Sequence, residues 1–265
     1  MAFAAKEFRY VRAEAPAAVL RNARREACMH LRVRSCERVI ALCGIWLTPR
    51  LTLLLEAMDA GSFHHFIRRR ALDRGDDENG SAVLDQEGGH KAAEGLAALH
   101  GAGIVHRDVK SHNVMMTNYN MPSSEIQERP LCEAKLGDLG SAAVLPTEGD
   151  SMLREEIGTS GWVAPEVFGD QGYGTPADIF SLGVLIWEAF TEGTLKNPLC
   201  GLVGQACTKA LRDGVRPRLT PVVPVVVKQL IERCWAFEPS NRPTAEVVAA
   251  ELRAFVDGVD PFDAV

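Results

Sequence analysis

The stretch from Thr175 to Phe190 constrains the fold more than any other part of the chain. Ile179, Phe180, Leu182, Val184, Leu185, Ile186 and Trp187 fall on every side of a 3.6-residue helix. A helix that is apolar all round is tolerated only where other elements cover it completely. Its start is marked by a Thr175 cap, by Pro176 at the first position, where a missing N–H costs nothing, and by Asp178 in the first turn. Gly193 is expected to end it. A chain of 265 residues with 46% apolar content has enough material to enclose such a helix, in one large domain or two lobes.

The elements around it can be read from local pattern. Phe3 to Lys6 fits a short strand. Leu20, Ala23, Ala27 and Leu31 fall on one helical stripe. Val39 to Leu47 and Leu51 to Leu55, parted by Thr48-Pro49-Arg50, predict a hairpin. Arg68 to Ala82 is polar and charge-rich and reads as a solvated loop. From Gln86 a helix is expected, with Ala92, Leu96 and Leu99 on one face and Gly101 and Gly103 to stop it. Residues 104 to 140 read as short strands and loops, with the polar, proline-bearing stretch Thr117 to Glu133 as an insertion in a hairpin. Helices follow around Val225 to Cys234 and after a Thr244 cap, the last burying Val248, Leu252 and Phe255. A small strand-rich start and a long helical remainder indicate an α+β fold with two unequal lobes.

A net charge of −6 provides no broad positive field, so neither nucleic acid nor an anionic membrane surface is expected as a partner. Seven scattered cysteines without a C-x-x-C pair suit free thiols in a reducing compartment. The amino terminus lacks the continuous apolar core of a secretion signal. No apolar run reaches the ~20 residues of a bilayer span. The expectation is an intracellular, cytoplasmic protein.

Chemistry concentrates at His106-Arg107-Asp108-Val109-Lys110-Ser111-His112-Asn113. A lone H-R-D could be a surface turn, but the eight-residue pattern resembles the catalytic loop H-R-D-x-K-x-x-N of eukaryotic protein kinases position for position. That resemblance implies that Asp108 orients the acceptor hydroxyl and takes its proton. It implies that Lys110 offers positive charge to the phosphoryl group in flight, and that Asn113 gives an oxygen to magnesium. Asp138-Leu139-Gly140 stands where the family has D-F-G, making Asp138 the second magnesium ligand, with Leu139 a departure from the family's phenylalanine.

Gly158-Thr159-Ser160-Gly161-Trp162-Val163-Ala164-Pro165-Glu166 resembles the end of an activation segment. Thr159 matches the threonine that bridges to the catalytic Asp and Lys in serine/threonine kinases. Asn241-Arg242-Pro243 supplies the arginine that the family pairs with Glu166, and Asp178 matches the aspartate that hydrogen-bonds the catalytic loop. By position, Lys6 in Phe3-Ala4-Ala5-Lys6 is the phosphate-bridging lysine and Glu26 its partner. The hinge falls at Leu55-Glu56-Ala57-Met58, with Leu55 as gatekeeper and backbone groups of Glu56 and Met58 at the adenine edge. Ala4 and Met115 align with residues that sandwich adenine. Leu42, Leu139, His106 and His30 align with the stacked column of an assembled kinase. His30 replaces an apolar residue there.

The resemblance implies a two-lobed protein-kinase-like fold in a single domain over 1–265, with a truncated small lobe and hinge in 1–58 and the large lobe in 59–265. Met1 lies only five residues before Lys6, which leaves no room for the family's first two strands and their G-x-G-x-x-G loop, so nucleotide binding is expected to be weakened. Lys110, Cys234-Trp235 and the loop patterns point to the tyrosine-kinase-like group of serine/threonine kinases. ATP, Mg2+ and a protein substrate are the implied ligands. An upstream activating kinase is implied by Arg107, with Thr147 and Ser151 as candidate phosphate sites. Two alternatives stand beside it. One is a non-catalytic kinase-like scaffold. The other is a small-molecule phosphotransferase, a class that lacks the A-P-E segment and its arginine.

Overall fold

The computed structural model describes residues 2–10, 16–73, 82–118, 132–146, 152–191, 199 and 201–258. Its first part is a three-stranded antiparallel sheet with one helix. Strand β1 (Phe3–Glu7) is followed by helix α1 (Ala17–Arg32), and β2 (Leu42–Trp46) and β3 (Thr52–Glu56) then form the expected hairpin, with a cis Thr48–Pro49 peptide in its turn. The central strand is β3, whose Leu53 is fully buried and lies opposite Lys6 of β1.

Helix α1 does not bury the stripe that its leucines mark. Leu20 and Leu31 are 48% and 54% exposed, while Ala23, Glu26, Ala27, Met29 and His30 are buried. The inward face is rotated by roughly a quarter turn from the leucine stripe. The reason lies in polar partners: Glu26 reaches Lys6 and the His30 Nδ1 reaches the Ile40 carbonyl, contacts that an apolar pattern does not register.

After β4 (Gly61–Ser62) comes α2 (Phe63–Asp73), anchored by buried Phe63 and Ile67. The loop expected from Arg68 is therefore helical as far as Asp73, because the buried anchors Phe63 and Ile67, one turn apart, hold the start of an arginine-rich segment; residues 74–81 lie outside the described part. Helix α3 (Ala82–Gly101) begins four residues before Gln86 and buries Ala92, Leu96 and Leu99. It ends as expected, with Gly103 taking φ +68°.

Strand β5 (Ile104–Val105) leads into the candidate catalytic loop. Strands β6 (Val114–Asn118) and β7 (Cys132–Leu136) pair antiparallel from Val114–Leu136 to Asn118–Cys132. The hairpin thus runs two residues into each end of the stretch assigned to the insertion, and 119–131 lie outside the described residues. Strand β8 (Ala143–Val144) pairs with β5.

Helix α4 (Pro176–Thr191) is buried over nearly its whole length, as an all-apolar surface demands. It is enclosed by α3 on one side and on another by α6 (Val225–Cys234), which follows α5 (Gly204–Arg212) in the chain. A Cβ on Gly183 would sit 2.7 Å from the Cys234 Cβ, so this glycine sets how closely α4 and α6 approach. Helix α7 (Ala245–Val256) packs on α3 and is capped by Thr244, whose Oγ1 accepts from the Val247 amide at 3.4 Å. The amphipathic α5 has no counterpart in the sequence reading, and Gly193 lies outside the described residues. One continuous apolar core joins the helices to Met29, Val33 and Val39 near the sheet.

Among the described residues no helix is long and apolar enough to cross a membrane, and Cys28, Cys36, Cys43, Cys207 and Cys234 are free thiols.

Candidate active site

The central helix carries the loop that follows β5. Asp178, buried at the first turn of α4, accepts from the backbone amides of His106 at 2.7 Å and Arg107 at 2.8 Å, and lies 2.9 Å from His100 Nε2. Arg107 takes φ +68°, a left-handed conformation that a non-glycine residue holds only when its surroundings enforce it. The buried His106 ring is oriented at both ends. Its Nε2 donates to the Gly137 carbonyl at 2.9 Å and its Nδ1 accepts from the Asp108 amide at 3.2 Å.

On this base stands a compact set of polar groups. Thr159 Oγ1 donates to Asp108 Oδ1 at 2.6 Å, and Lys110 Nζ donates to Asp108 Oδ2 at 2.7 Å and to Thr159 Oγ1 at 2.8 Å. Asn113 Nδ2 donates to the Asp108 carbonyl at 2.8 Å and to its Oδ2 at 3.0 Å. With the amide nitrogen so engaged, the amide oxygen is the atom of Asn113 left to meet a ligand.

The second acid arrives on the β6–β7 hairpin. The Gly137 amide donates to the Asn113 carbonyl at 2.8 Å, which sets Asn113, just before β6, beside Asp138, just after β7. Asp138 has φ +57°, so both non-glycine residues with positive φ among those described lie in this site. Lys6 Nζ donates at 2.7 Å to Asp138 Oδ1 and at 2.7 Å to Glu26 Oε1, tying β1, α1 and the end of β7 together. Burial pulls the Lys6 pKa down, but Asp138 and Glu26 outweigh it and leave it raised. Burial raises Glu26 against the pull of Lys6, whereas in Asp138 the Lys6 ammonium prevails over burial and lowers the pKa. A Cβ on Gly140 would come within 3.2 Å of Asp138 Oδ1 and 3.3 Å of Lys6 Nζ, so the glycine keeps this space open.

The residues expected around the base lie on neighbouring elements. Glu56 ends β3, with its amide donating to the Ala41 carbonyl at 2.9 Å and its carboxylate paired with Lys135 at 2.6 Å. Met58 follows two residues later, and Met115 on β6 alternates with buried Val114 and Met116 and so faces away from the core. Leu139, His106 and His30 are all buried, with Leu42 half-buried on β2. His30 is a core histidine. Its Nδ1 donates to the Ile40 carbonyl at 2.8 Å, and burial lowers its pKa, so the ring is neutral.

Three contributors escaped the sequence reading. Glu155 pairs with Arg107 at 2.7 Å, the arginine that had suggested a phosphate partner. Arg107 holds its pKa below the ordinary value. Thr147 and Ser151 lie outside the described residues. The Thr147→Ala, Ser151→Ala double variant tests the phosphate reading, and activity equal to the parent's would count against it. Glu155→Ala should lose only about two- to fivefold, because the carboxylate is largely exposed and solvent screens the pair. Initial-rate assays on the two variants check this. The signal was present in the acidic Glu155-Glu156 pair, which composition alone does not link to Arg107.

Glu188 on α4 is buried and accepts from Trp162 Nε1 at 2.7 Å and Ser111 Oγ at 3.1 Å, joining the activation-segment motif to the catalytic loop. Burial pushes its pKa up to about 7. Between the ordinary carboxyl value and about 7, the folded chain binds more protons here than the unfolded one. Glu188 should therefore cost stability progressively as pH rises through that window, by roughly 3 kcal/mol in all, and nothing further above it. Glu188→Gln is expected to flatten this slope in urea titrations between pH 5 and 8. The third contributor, His64, lies 3.3 Å from Ser111 Oγ through its Nδ1.

Glu166 and Arg242 form the expected pair. Nη1 and Nη2 both donate to the carboxylate, Nε reaches the Ala236 carbonyl at 3.0 Å, Nη1 also reaches the Pro176 carbonyl at 2.9 Å, and the Arg242 side chain is fully buried.

A buried histidine-anchored loop, a bridged Asp–Lys–Thr set and a Lys–Glu–Asp ion cluster on a small sheet define a protein kinase domain. Comparison with known proteins agrees: the protein kinase domain family matches residues 1–252, and the chain belongs to that family. A probable serine/threonine-protein kinase of Dictyostelium discoideum is 27% identical over 84% of this chain and 12% of its own length. The serine/threonine-protein kinase STY17 of Arabidopsis thaliana is 28% identical over 88% of the chain and 37% of its own length. Mitogen-activated protein kinase kinase kinase 7 of Drosophila melanogaster is 28% identical over 82% and 30%. The chain thus spans well under half the length of these curated relatives.

Proposed function

We propose that this domain transfers the γ-phosphoryl group of ATP to serine or threonine hydroxyls of protein substrates. The observation that carries the proposal is the closed set in which Thr159 and Lys110 both hold the Asp108 carboxylate. Asp108 accepts the proton of the incoming hydroxyl, and Lys110 places positive charge beside the phosphoryl oxygens. Lys6, steadied by Glu26, orients the phosphates. Backbone groups of Glu56 and Met58 meet the adenine edge, with Ala4 and Met115 above and below it.

The donor set suits magnesium: the Asp138 carboxylate and the Asn113 amide oxygen are hard oxygen ligands on adjoining backbone, and Asp138 is half-exposed. These two would hold the ion, whose chemistry is to neutralise phosphate charge. Residues 1–58 then act as the small lobe with its hinge and 59–265 as the large lobe. The free thiols fit a cytoplasmic setting. An upstream kinase acting at Thr147 or Ser151 would have to displace Glu155 from Arg107.

The test is transfer from labelled ATP to a generic protein substrate, followed by phosphoamino-acid analysis, with Asp138→Asn as control. Phosphoserine or phosphothreonine made by the parent and lost in the variant is expected. Equal labelling by both would overturn the enzyme reading in favour of a non-catalytic scaffold.

A further inference from the structure

Helix α1 turns one face to the site and the other to solvent. Glu26, on the inward face, accepts from Lys6, and Arg25 at its edge donates from Nη2 to the Gly140 carbonyl at 2.8 Å, so the helix packs on the turn that follows Asp138. On the opposite side Leu20, Arg21, Arg24, Cys28, Leu31 and Arg32 are all exposed, and at 3.6 residues per turn they fall within one stripe about 120° wide. Arg34, exposed just beyond the helix, adds a further charge at its end.

The stripe is basic and lacks a counter-charge. Among the described residues none of Arg21, Arg24, Arg32 and Arg34 has a carboxylate partner, and Glu26, the one acid of α1, is buried on the far side with Lys6. In a chain of net charge −6 such a concentration of arginine is a local feature. It also weighs on the helix itself. Arg21 stands three and four residues from Arg24 and Arg25, spacings at which like charges destabilise a helix, and α1 starts after Pro16 with no side-chain cap bond and no acid in its first turn. The element that presents Glu26 to Lys6 is therefore short of negative charge on its solvent side. Leu20 and Leu31 border the stripe, about 16 Å apart along the axis. Two leucines so far apart make no continuous apolar face to bed in a lipid surface, whereas separated apolar and charged points suit the side of another helix.

We propose that the outward face of α1 docks an acidic helix of a partner protein, with carboxylates against Arg21, Arg24 and Arg32 and apolar side chains against Leu20 and Leu31. Docking relieves the repulsion along α1 and steadies the contact of Glu26 with Lys6, so it raises phosphoryl transfer. That consequence rests on the kinase reading above; the docking itself does not.

The test uses the full chain and two fluorescent helical peptides that carry leucine and alanine on one face and either glutamate or glutamine on the other, neither with a hydroxyl side chain. Affinity is read by anisotropy, with kcat/KM for a protein substrate measured in parallel. The Glu peptide is expected to bind roughly tenfold tighter than the Gln peptide, three exposed charge pairs at about two- to threefold each, and the gap should close in high salt. Because the chain as a whole is negative, no general attraction produces this order. Arg24→Glu, Arg32→Glu should abolish it, and Arg24→Lys, Arg32→Lys should keep it. Lys209→Glu, Arg218→Glu, the same change of charge at exposed positions on α5 and before α6, should also keep it. The Glu peptide should raise kcat/KM several-fold in the parent and leave Arg24→Glu, Arg32→Glu unchanged. Equal affinities in the parent, or an order that survives the charge reversal on α1, overturns the proposal. Binding to phosphatidylserine vesicles without preference between the peptides overturns it too and makes the face a membrane contact. Selective docking that leaves a measurable transfer rate unchanged removes the coupling to Glu26. Selective docking with no transfer at all sinks the kinase reading and leaves the docking face standing.

Discussion

Asp108→Asn is expected to lower kcat about 10²–10⁴-fold, the usual contribution of a positioned general base, with little change in the affinity for ATP. The asymmetry follows from what the carboxylate touches. Its oxygens accept from Thr159, Lys110 and Asn113, and the nucleotide-facing cluster of Lys6, Glu26 and Asp138 is built on other elements. An asparagine keeps one acceptor oxygen for Thr159. Its amide nitrogen, however, would face the Lys110 ammonium and the Asn113 amide, donors against a donor, and it has no affinity for a hydroxyl proton. Single-turnover transfer measured beside ATP titration separates the two effects. A variant that transfers at the parent's rate would remove Asp108 from the chemistry, and one that only loses ATP affinity would assign it a binding role.

The parts of the site legible in the sequence were those whose function demands a fixed residue type at a fixed spacing. Asp108, Lys110 and Asn113 share one short loop, so their convergence is almost guaranteed once the loop is recognised, and the β6–β7 register then brings Asp138 alongside. Lys6 and Glu26 were assigned by position alone, yet a 2.7 Å contact joins them. The central helix was legible for a different reason, since a surface apolar on every side admits only one environment.

What escaped were pairings that depend on how separate elements happen to face. Leu20 and Leu31 advertise a stripe on α1, but burial of that helix is decided by Glu26 and His30 reaching polar partners. Helix α2 was hidden because its charged residues outnumber Phe63 and Ile67, the two anchors that hold it. Glu155 and Glu188 looked like ordinary acids. Their roles arise only from Arg107 in one case and from Trp162 and Ser111 in the other, residues distant in sequence.

Arg242→Met is expected to cost about 3–5 kcal/mol of stability, which for a chain of this size corresponds to a fall of roughly 10 °C in Tm. Methionine fills much of the volume, so the loss comes from polar groups left behind. The guanidinium is fully buried and donates to both oxygens of Glu166 and to the carbonyls of Ala236 and Pro176, while its carbon lies 5.2 Å above the Phe180 ring. Deleting it strands an ionised carboxylate and two carbonyls in a nearly dry pocket. The pair joins the end of the activation segment to the start of α4 and to the turn before α7, so melting should remain cooperative while its midpoint falls. The double variant Glu166→Gln, Arg242→Met removes the stranded charge together with its partner. It should recover a good part of the loss, because a buried pair costs most when only one member is removed. Thermal unfolding of the parent, the two single variants and the double variant gives the coupling directly. A single variant within about 1 °C of the parent would mean that the pair does not hold the segment to the core.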